Sequence, residues 1–514
     1  MGAELLRVTV LVESTVVPAW QASLTERLSS SPSVEVTVVE YGRTRPSPRR
    51  RPFLLTLYER VDSEVFRWPL DALAHRRLPG VGAPSRDFAG QHVVVDFASC
   101  NPSEVVRGVR DGAWVVTHHP PDWHARGSTY RTDVHAHFDG GRRALIHSSM
   151  GAMDPASPSR TRQQALWKAQ GTLLHLLETV RRLGMPYLEA RARRLTLARE
   201  ASAESRHQPL SNRAVAANAA RAVAGVAGRL ARGTVEREAW FVATRPRTRP
   251  RSLDSGDGFQ PTEWSRHTAA ADPFVIEADG ETYVFFEDDS KRGPATISYV
   301  RLDRGGLRDG APATALERPY HLSYPFVFRH AGGIFMIPES SENRTIELYR
   351  ADAFPSSWTL ERVLLEDIRA LDATLVDVDG RLWLFVSVAE PGAAPNDELH
   401  LFSADSLEGP WEPHPANPVV SDVRSARPAG RIFRHAGDLI RPSQDCSRRY
   451  GYAVVFNRID VLTDDDYVES PIGRIDPVWY PGIVATHTYD AGKEIEVLDG
   501  KRVALRGPLA RLRR

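Results

Sequence analysis

Residues 318–343 read RPYHLSYPFVFRHAGGIFMIPESSEN. An apolar run, a glycine turn and a second apolar run, with polar residues at both outer ends, predict a β-hairpin. The same frame recurs in FVIEADGETYVFFEDD (274–289), TLVDVDGRLWLFVSVA (374–389) and RIFRHAGDLIRPSQDC (431–446), and more weakly in EIEVLDGKRVALRG (494–507). The turn glycines Gly280, Gly333, Gly380, Gly437 and Gly500 follow one another at 53, 47, 57 and 63 residues. Three copies continue into a further strand, TISYVRLD (296–303), IELYRAD (346–352) and ELHLFSAD (398–405). A repeat of this length with about four short strands is the mark of a propeller blade. Residues 235–505 are therefore expected to form a five-bladed β-propeller, with EAWFVATRP (238–246) closing the ring.

That geometry explains the polar ends. The innermost strand of a blade runs along the axis and the second runs back, so the start of one and the end of the other share a face. His321, Ser323 and Tyr324 at the entrance and Glu339 at the exit are expected at one mouth of the channel. The same register brings Asp272 with Glu287, Asp288 and Asp289 from blade one, and Asp372 from blade three. It adds Arg427, Arg441, Gln444 and Asp445 from blade four, and His487 and Tyr489 from blade five. Carboxylates for proton transfer, Arg and Gln for hydroxyls or anions, and aromatic rings for stacking compose a sugar pocket. For each residue taken singly, a capped turn or a solvated loop is as good an account; their convergence carries the functional one.

Residues 1–185 alternate strand-like segments, LRVTVLVE (6–13), VEVTVVEY (34–41), HVVVDFA (92–98) and GAWVVTHH (112–119), with helix-like ones at 18–31, 102–112 and 163–184. Val-rich strands separated by helices predict a Rossmann-like, open and mostly parallel α/β sheet. The Ala- and Arg-rich stretch 186–234 reads as a helical linker, and 506–514 (RGPLARLRR) as a basic tail. The multidomain chain is thus α/β followed by all-β.

The 514 residues carry a net charge of +1, which supplies no field for a nucleic-acid partner. Its basic residues are 62 Arg and four Lys, a skew that fits a GC-rich, bacterial genome. Two cysteines, Cys100 and Cys446, exclude a disulfide framework and a Cys-rich metal site. No run nears the roughly 18 apolar residues of a membrane span, and MGAELLRVTVLVEST reads as a first strand, not a signal peptide. A cytoplasmic protein is expected, with peripheral membrane contact through the basic tail left open. No ligand cluster identifies a metal, and no GxGxxG or Walker pattern identifies a dinucleotide or NTP site.

The ordered segments ADPF (271–274), HLSYPFVF (321–328), IPESS (337–341), ELYRADAFPSSW (347–358), DATL (372–375), RPAGRIFR (427–434) and LIRPSQDCSRRYG (439–451) resemble the β-propeller domain of plant glucosamine inositolphosphorylceramide transferases. In those proteins the transferase activity is assigned to another domain. A more distant resemblance, to five-bladed glycoside hydrolases of the arabinanase and invertase type, implies an Asp–Asp–Glu set. Asp272 matches its first position; Asp372 and Glu339 are the candidates for the others, in a different chain order. The N-terminal region resembles the formyltransferase fold, with GAWVVTHHPPDWHARGSTY (112–130) in place of that family's Asn–His–Pro–Ser segment. His119 then matches the family's His, Thr117 or His118 replaces the Asn, Pro121 replaces the Ser, and Asp154 is the candidate acid.

The reading reached is a carbohydrate-active enzyme, foremost a glycosyltransferase using an activated sugar donor. Glu339 is its acid and Asp272 its base or nucleophile. Asp372 holds the sugar or raises the acid's pKa by like charge. The alternatives are a furanosidase-type glycoside hydrolase, a non-catalytic glycan-binding propeller, and a formyl- or acyltransferase working through the first domain.

Overall fold

The computed structural model describes residues 5–41, 53–66, 69–82, 87–119, 129–154, 157–200, parts of 212–228, 236–247, 253–266, 269–290, 293–302 and 311–505. Residues 42–52, 120–128 (with Pro121) and 506–514 lie outside them. The chain divides into one unit of Met1–Gly225 with Glu390–Ala394 and a second of Val226–Ala389 with Pro395–Arg514.

The first unit is built on a six-stranded sheet. Its order is Val34–Glu40, Leu6–Val12, Val93–Asp96, Ala113–His119, Thr129–His137, Arg143–Ala152. The first four strands are parallel; Thr129–His137 runs against both neighbours, so the sheet is mixed. Helix Pro158–Leu183 starts at Ser157, whose hydroxyl accepts from the Arg160 N–H, and stops at Gly184 with φ +79°. The stretch 102–112 keeps only one helical turn, Pro102–Val105, because Gly108 takes φ +71° and lies against Ala89. Residues 186–200, expected in the linker, continue helix Met185–Glu200, whose Leu188 and Ala192 are buried. They belong to this unit.

The second unit has five four-stranded or near-four-stranded sheets. Blades one to three comprise the strands from Ala270 to Leu316, Ser323 to Leu365 and Ala370 to Pro413, each in sequential antiparallel order. Blade four runs from Phe433 to Ile475. Blade five is composite and five-stranded: Ile483–Ala485 and Tyr489–Ala491 share one edge of Ile495–Leu505, whose other edge pairs with Glu236–Pro246, and Gln260–Pro261 follows outside it. The closing strand thus comes from the start of the unit, held by eleven consecutive pairs. A ring closed in this way leaves no free sheet edge between first and last blade.

The first four hairpins turn on two residues with positive φ, Asp279–Gly280, Ala331–Gly332, Asp379–Gly380 and Ala436–Gly437. This is the primed turn whose twist matches that of the strands. In blade two the turn lies one residue before the expected Gly333, which opens the next strand. Gly500 departs further: it sits inside the unbroken strand Ile495–Leu505, opposite Phe241. A Cβ there would meet the Phe241 ring at 2.8 Å, so the glycine serves close packing and makes no turn.

The inner strands of blades one, two and three share one device. Asp272, Tyr324 and Asp372 each have φ between 45° and 56°, at the place where the register with the second strand slips. A left-handed residue at a β-bulge re-aims its side chain away from the alternation of the strand. For a tyrosine this conformation is a genuine outlier, held only where surrounding contacts over-determine it. All three side chains turn into the middle of the ring.

Candidate active site

At one mouth of the ring lies a cavity of about 260 Å³, walled by blades one, two, four and five. Blade one supplies Asp272, Glu287 and Asp289, and blade two supplies His321, Ser323 and Glu339. Arg427 and Tyr450 come from blade four, and Trp240 and His487 from blade five. Eight side chains expected at a sugar site, Asp272, Glu287, Asp289, His321, Ser323, Glu339, Arg427 and His487, are thereby brought together. Trp240 and Tyr450 were not anticipated.

Two ionic sets build the wall. Arg427 is buried, and its Nε and Nη2 donate to the Asp372 carboxylate at 2.6 and 3.2 Å. Nη2 also reaches Glu339 Oε2 at 3.3 Å, Nη1 donates to Asn396, and the guanidinium rests 4.9 Å from the Tyr450 ring centre. Gln444 Nε2 donates to Asp372 Oδ2 at 2.8 Å. Burial pushes the Asp372 carboxyl up to about 7, with Arg427 opposing and Glu339 adding to the rise. Asp372 therefore lies behind Arg427 and does not line the cavity; it fixes the arginine that touches Glu339.

The second set joins blades one and five. Asp272 Oδ1 accepts from the Thr488 hydroxyl and lies 3.7 Å from His487 Nε2. His487 Nδ1 lies 2.5 Å from Asp499 Oδ2. The His487 ring is stacked on Trp240 at 4.0 Å and 11° and meets the edge of Tyr450. Burial raises the Asp272 carboxyl to about 6, with His487 opposing. Burial alone would lower His487; the Asp499 and Asp272 carboxylates outweigh it and hold the imidazole at about 9. On the rim, His321 Nε2 pairs with Glu287 at 3.2 Å, which raises the imidazole, while burial raises Glu287.

Besides Asp372, six expected pocket residues are placed elsewhere: Asp288, which accepts from the Ser290 and Ser298 hydroxyls, Tyr489, which packs on Phe433 and Phe456, and four more. Tyr324 is fully buried; its hydroxyl pairs with Thr374 at 2.8 Å and accepts from the Gly430 N–H at 2.7 Å. Gly430 is required there, since a Cβ would meet the Tyr489 carbonyl oxygen at 1.8 Å. Gln444 is spent on Asp372. Arg441, four residues into its strand, points to the outer strand of its own blade, where the Glu469 carboxylate accepts from its Nε and Nη2 at 2.8 and 2.7 Å. Asp445 pairs with Arg474 at 2.8 Å. For Arg441 and Asp445 the cause is that a buried charge is paired within its own blade, and for Tyr324 and Gln444 that a buried polar group is satisfied by its neighbours.

In the first unit, His118 and His119 end strand Ala113–His119, opposite Thr132 and Arg131; their side chains lie outside the described residues. Asp154 is paired with Arg160 at 3.2 Å. Cys100 and Cys446 are both buried, and neither is in a disulfide.

Asp272, His487 and Asp499 are close enough in space to hold a cation, but both oxygens of Asp499 already accept backbone donors. Asp499 Oδ1 accepts the N–H groups of His487 and Thr488, and Oδ2 accepts that of Asp272. The trio fits a proton-sharing set better than a ligand set.

Residues 261–475 match the family model described as glucosamine inositolphosphorylceramide transferase 1, N-terminal. They span the first four blades. Two curated relatives carry the name glucosamine inositolphosphorylceramide transferase 1. The one from Oryza sativa subsp. japonica is 40% identical over 212 residues, 39% of this chain and 28% of the relative. The one from Arabidopsis thaliana is 36% identical over 252 residues, 45% of this chain and 32% of the relative. This chain thus spans less than a third of either plant protein. Among solved structures, Zg3597, a family 117 glycoside hydrolase from Zobellia galactanivorans, aligns with TM-score 0.34 and 14% identity, over 51% of this chain and 90% of its own.

Proposed function

We propose that the protein is a carbohydrate-active enzyme, a glycosyltransferase of glycoconjugate synthesis, with its sugar site in the propeller mouth. The observation that carries this is the gathering of Asp272, Glu287, Asp289, Glu339 and Arg427 around one small cavity, within a domain resembling that of the named transferases. In transfer, Asp272 takes the proton of an acceptor hydroxyl as that oxygen bonds to the anomeric carbon. The donor's leaving oxygen departs with the bonding electron pair, and Glu339, beside Arg427, supplies it a proton. The same pair acting with water as acceptor gives hydrolysis, which is the second reading.

The substrate class follows from charge. The lining carboxylates outnumber the cations, and those cations are engaged: Arg427 with Asp372, His321 with Glu287, His487 with Asp499. Such a wall favours a protonated amino sugar, and the relatives' name specifies glucosamine. Calorimetry with glucosamine, N-acetylglucosamine and their nucleotide-linked forms tests it. The free amine is expected to bind at least about tenfold tighter than the acetylated sugar, since one ionic contact in a partly desolvated site supplies ~1.4 kcal/mol or more. Equal binding of the two, or no sugar binding, contradicts the proposal.

For the first unit, the Rossmann-like and formyltransferase-like reading remains a lesser proposal, supported by its four adjacent parallel strands. No helix among the described residues is long and apolar enough to cross a membrane. We keep the cytoplasm as the proposed location.

A further inference from the structure

Asp499 does not line the cavity, and the chemistry assigned above does not use it. It is fully buried in the middle strand of blade five, in the LDG segment whose sequence suggested a turn. Its contacts all face the strand connection that carries His487 and the bulge that carries Asp272: it accepts from the N–H groups of Asp272, His487 and Thr488 and forms an ion pair with His487 Nδ1. No surface role explains a carboxylate enclosed in this way. Isolating such a charge is costly unless a partner answers it.

We propose that Asp499 and His487 are positioning residues for Asp272: the Asp499 carboxylate grips the His487 ring from behind, and the ring's cationic Nε2–H edge faces Asp272 Oδ1. The stack on Trp240 and the edge of Tyr450 fix the ring plane, so the imidazole cannot turn to another partner. The Thr488 hydroxyl gives Asp272 a second donor on the same oxygen. Asp272 is thereby kept anionic in a site where burial and the nearby Asp372 and Asp499 carboxylates favour its protonation. The charged or titratable groups facing His487 are Asp499, Asp272, Tyr450 and, farther off, Asp372 and Glu287; Arg427 stands beyond the Tyr450 ring. The arrangement is a buried Asp–His–Asp series in which two carboxylates share one imidazolium.

Asp499→Asn separates positioning from mere support. The amide oxygen still accepts the N–H groups of His487 and Thr488, while the NH₂ in the place of Oδ2 forfeits the Asp272 N–H. Its NH₂ now faces His487 Nδ1, which must accept and lose its proton. Histidine-ring NMR on the full chain, with the His487 signal assigned from His487→Gln, is the first arm and needs no substrate. The wild-type ring is expected to stay imidazolium to pH 8, and in Asp499→Asn its acid constant is expected to rise at least about tenfold. A wild-type ring titrating in the ordinary range near 6.5, or one unmoved by Asp499→Asn, overturns the proposal whether or not the cavity handles sugar.

The second arm rests on the glycosyl-transfer reading. With Asp272 deprived of its cation, the acidic limb of the pH–kcat/KM profile is expected to move upward, so activity falls about tenfold at pH 6 and far less at pH 8. His487→Gln is expected to give the same displacement, which covers the case of Asp499→Asn failing to fold. A uniform loss with an unmoved limb overturns positioning in favour of simple support. Absence of transfer by the wild type, with the NMR result as expected, rejects the reaction and leaves the Asp–His–Asp assignment standing.

Discussion

Asp272→Asn is expected to lower turnover by about 10²–10⁴-fold, the range for losing a general base, while the protein folds and melts as before or slightly higher. The two halves of this result come from one residue. Asparagine tolerates the left-handed φ of 52° as aspartate does, and its carboxamide oxygen can still accept from Thr488. The fold therefore keeps its contacts. What disappears is a carboxylate held against burial. Its pKa is raised from 3.8 to about 6, so the folded state binds the proton more tightly than the unfolded one. That contribution to stability is fully present below pH 4 and is lost as pH rises through 6. At pH 7.5 the ionised group is a net cost, which the neutral amide removes. Loss of activity with retained stability marks a group maintained for chemistry; a large fall in Tm with little change in turnover would mark a structural acid. Thermal unfolding beside a transfer assay distinguishes them.

Arg427→Met is expected to have the largest effect on stability, about 3–5 kcal/mol, the usual result of removing one partner from a buried ionic set. For a unit of this size the Tm falls by about 10 °C. The loss is large because Asp372 and Glu339 are both almost completely buried and share that one guanidinium. Without it, Gln444 alone answers Asp372. Sign again follows from the raised Asp372, about 7 with Arg427 present. Its favourable share exists below pH 4 and is lost as pH climbs through 7, and in the variant the carboxyl rises further. The Tm deficit should therefore be greater at pH 8 than at pH 5.5. A deficit independent of pH would mean that Arg427 acts through packing on Tyr450 and not through charge. Arg427→Lys is expected to restore only part, because one ammonium cannot span two carboxylates as the fork does.

The repeat was legible because primed hairpins demand glycine at fixed places, and Gly280, Gly380 and Gly437 stand at the turns the sequence marks. Gly500 misled because a glycine imposed by contact with Phe241 has the same letter as a glycine imposed by a turn. In the cavity, entrance and exit positions of the first two blades were readable from strand direction alone, which placed Asp272, Glu287, His321, Ser323 and Glu339. Blade four was readable only at its entrance, Arg427: Arg441 and Asp445 pair instead with Glu469 and Arg474, strands away along the chain. Nothing local in IRPSQD distinguishes an arginine aimed at the axis from one tied within its blade. Trp240 left a faint signal, since adjacent aromatics in a closing strand must face opposite sides. Asp499 left none; its importance appears only when two segments of blade five and the start of blade one are in register. The bulges at Asp272, Tyr324 and Asp372 were equally silent, because a shift of register is a property of paired strands.

The most direct measurement is a crystal structure of Asp272→Asn soaked with a nucleotide-linked glucosamine. The sugar ring is predicted between residue 272, Glu339 and Arg427, with its amine toward Glu287 or Asp289. Clear density for the sugar on the first unit, with the propeller mouth holding only solvent, would contradict the assignment.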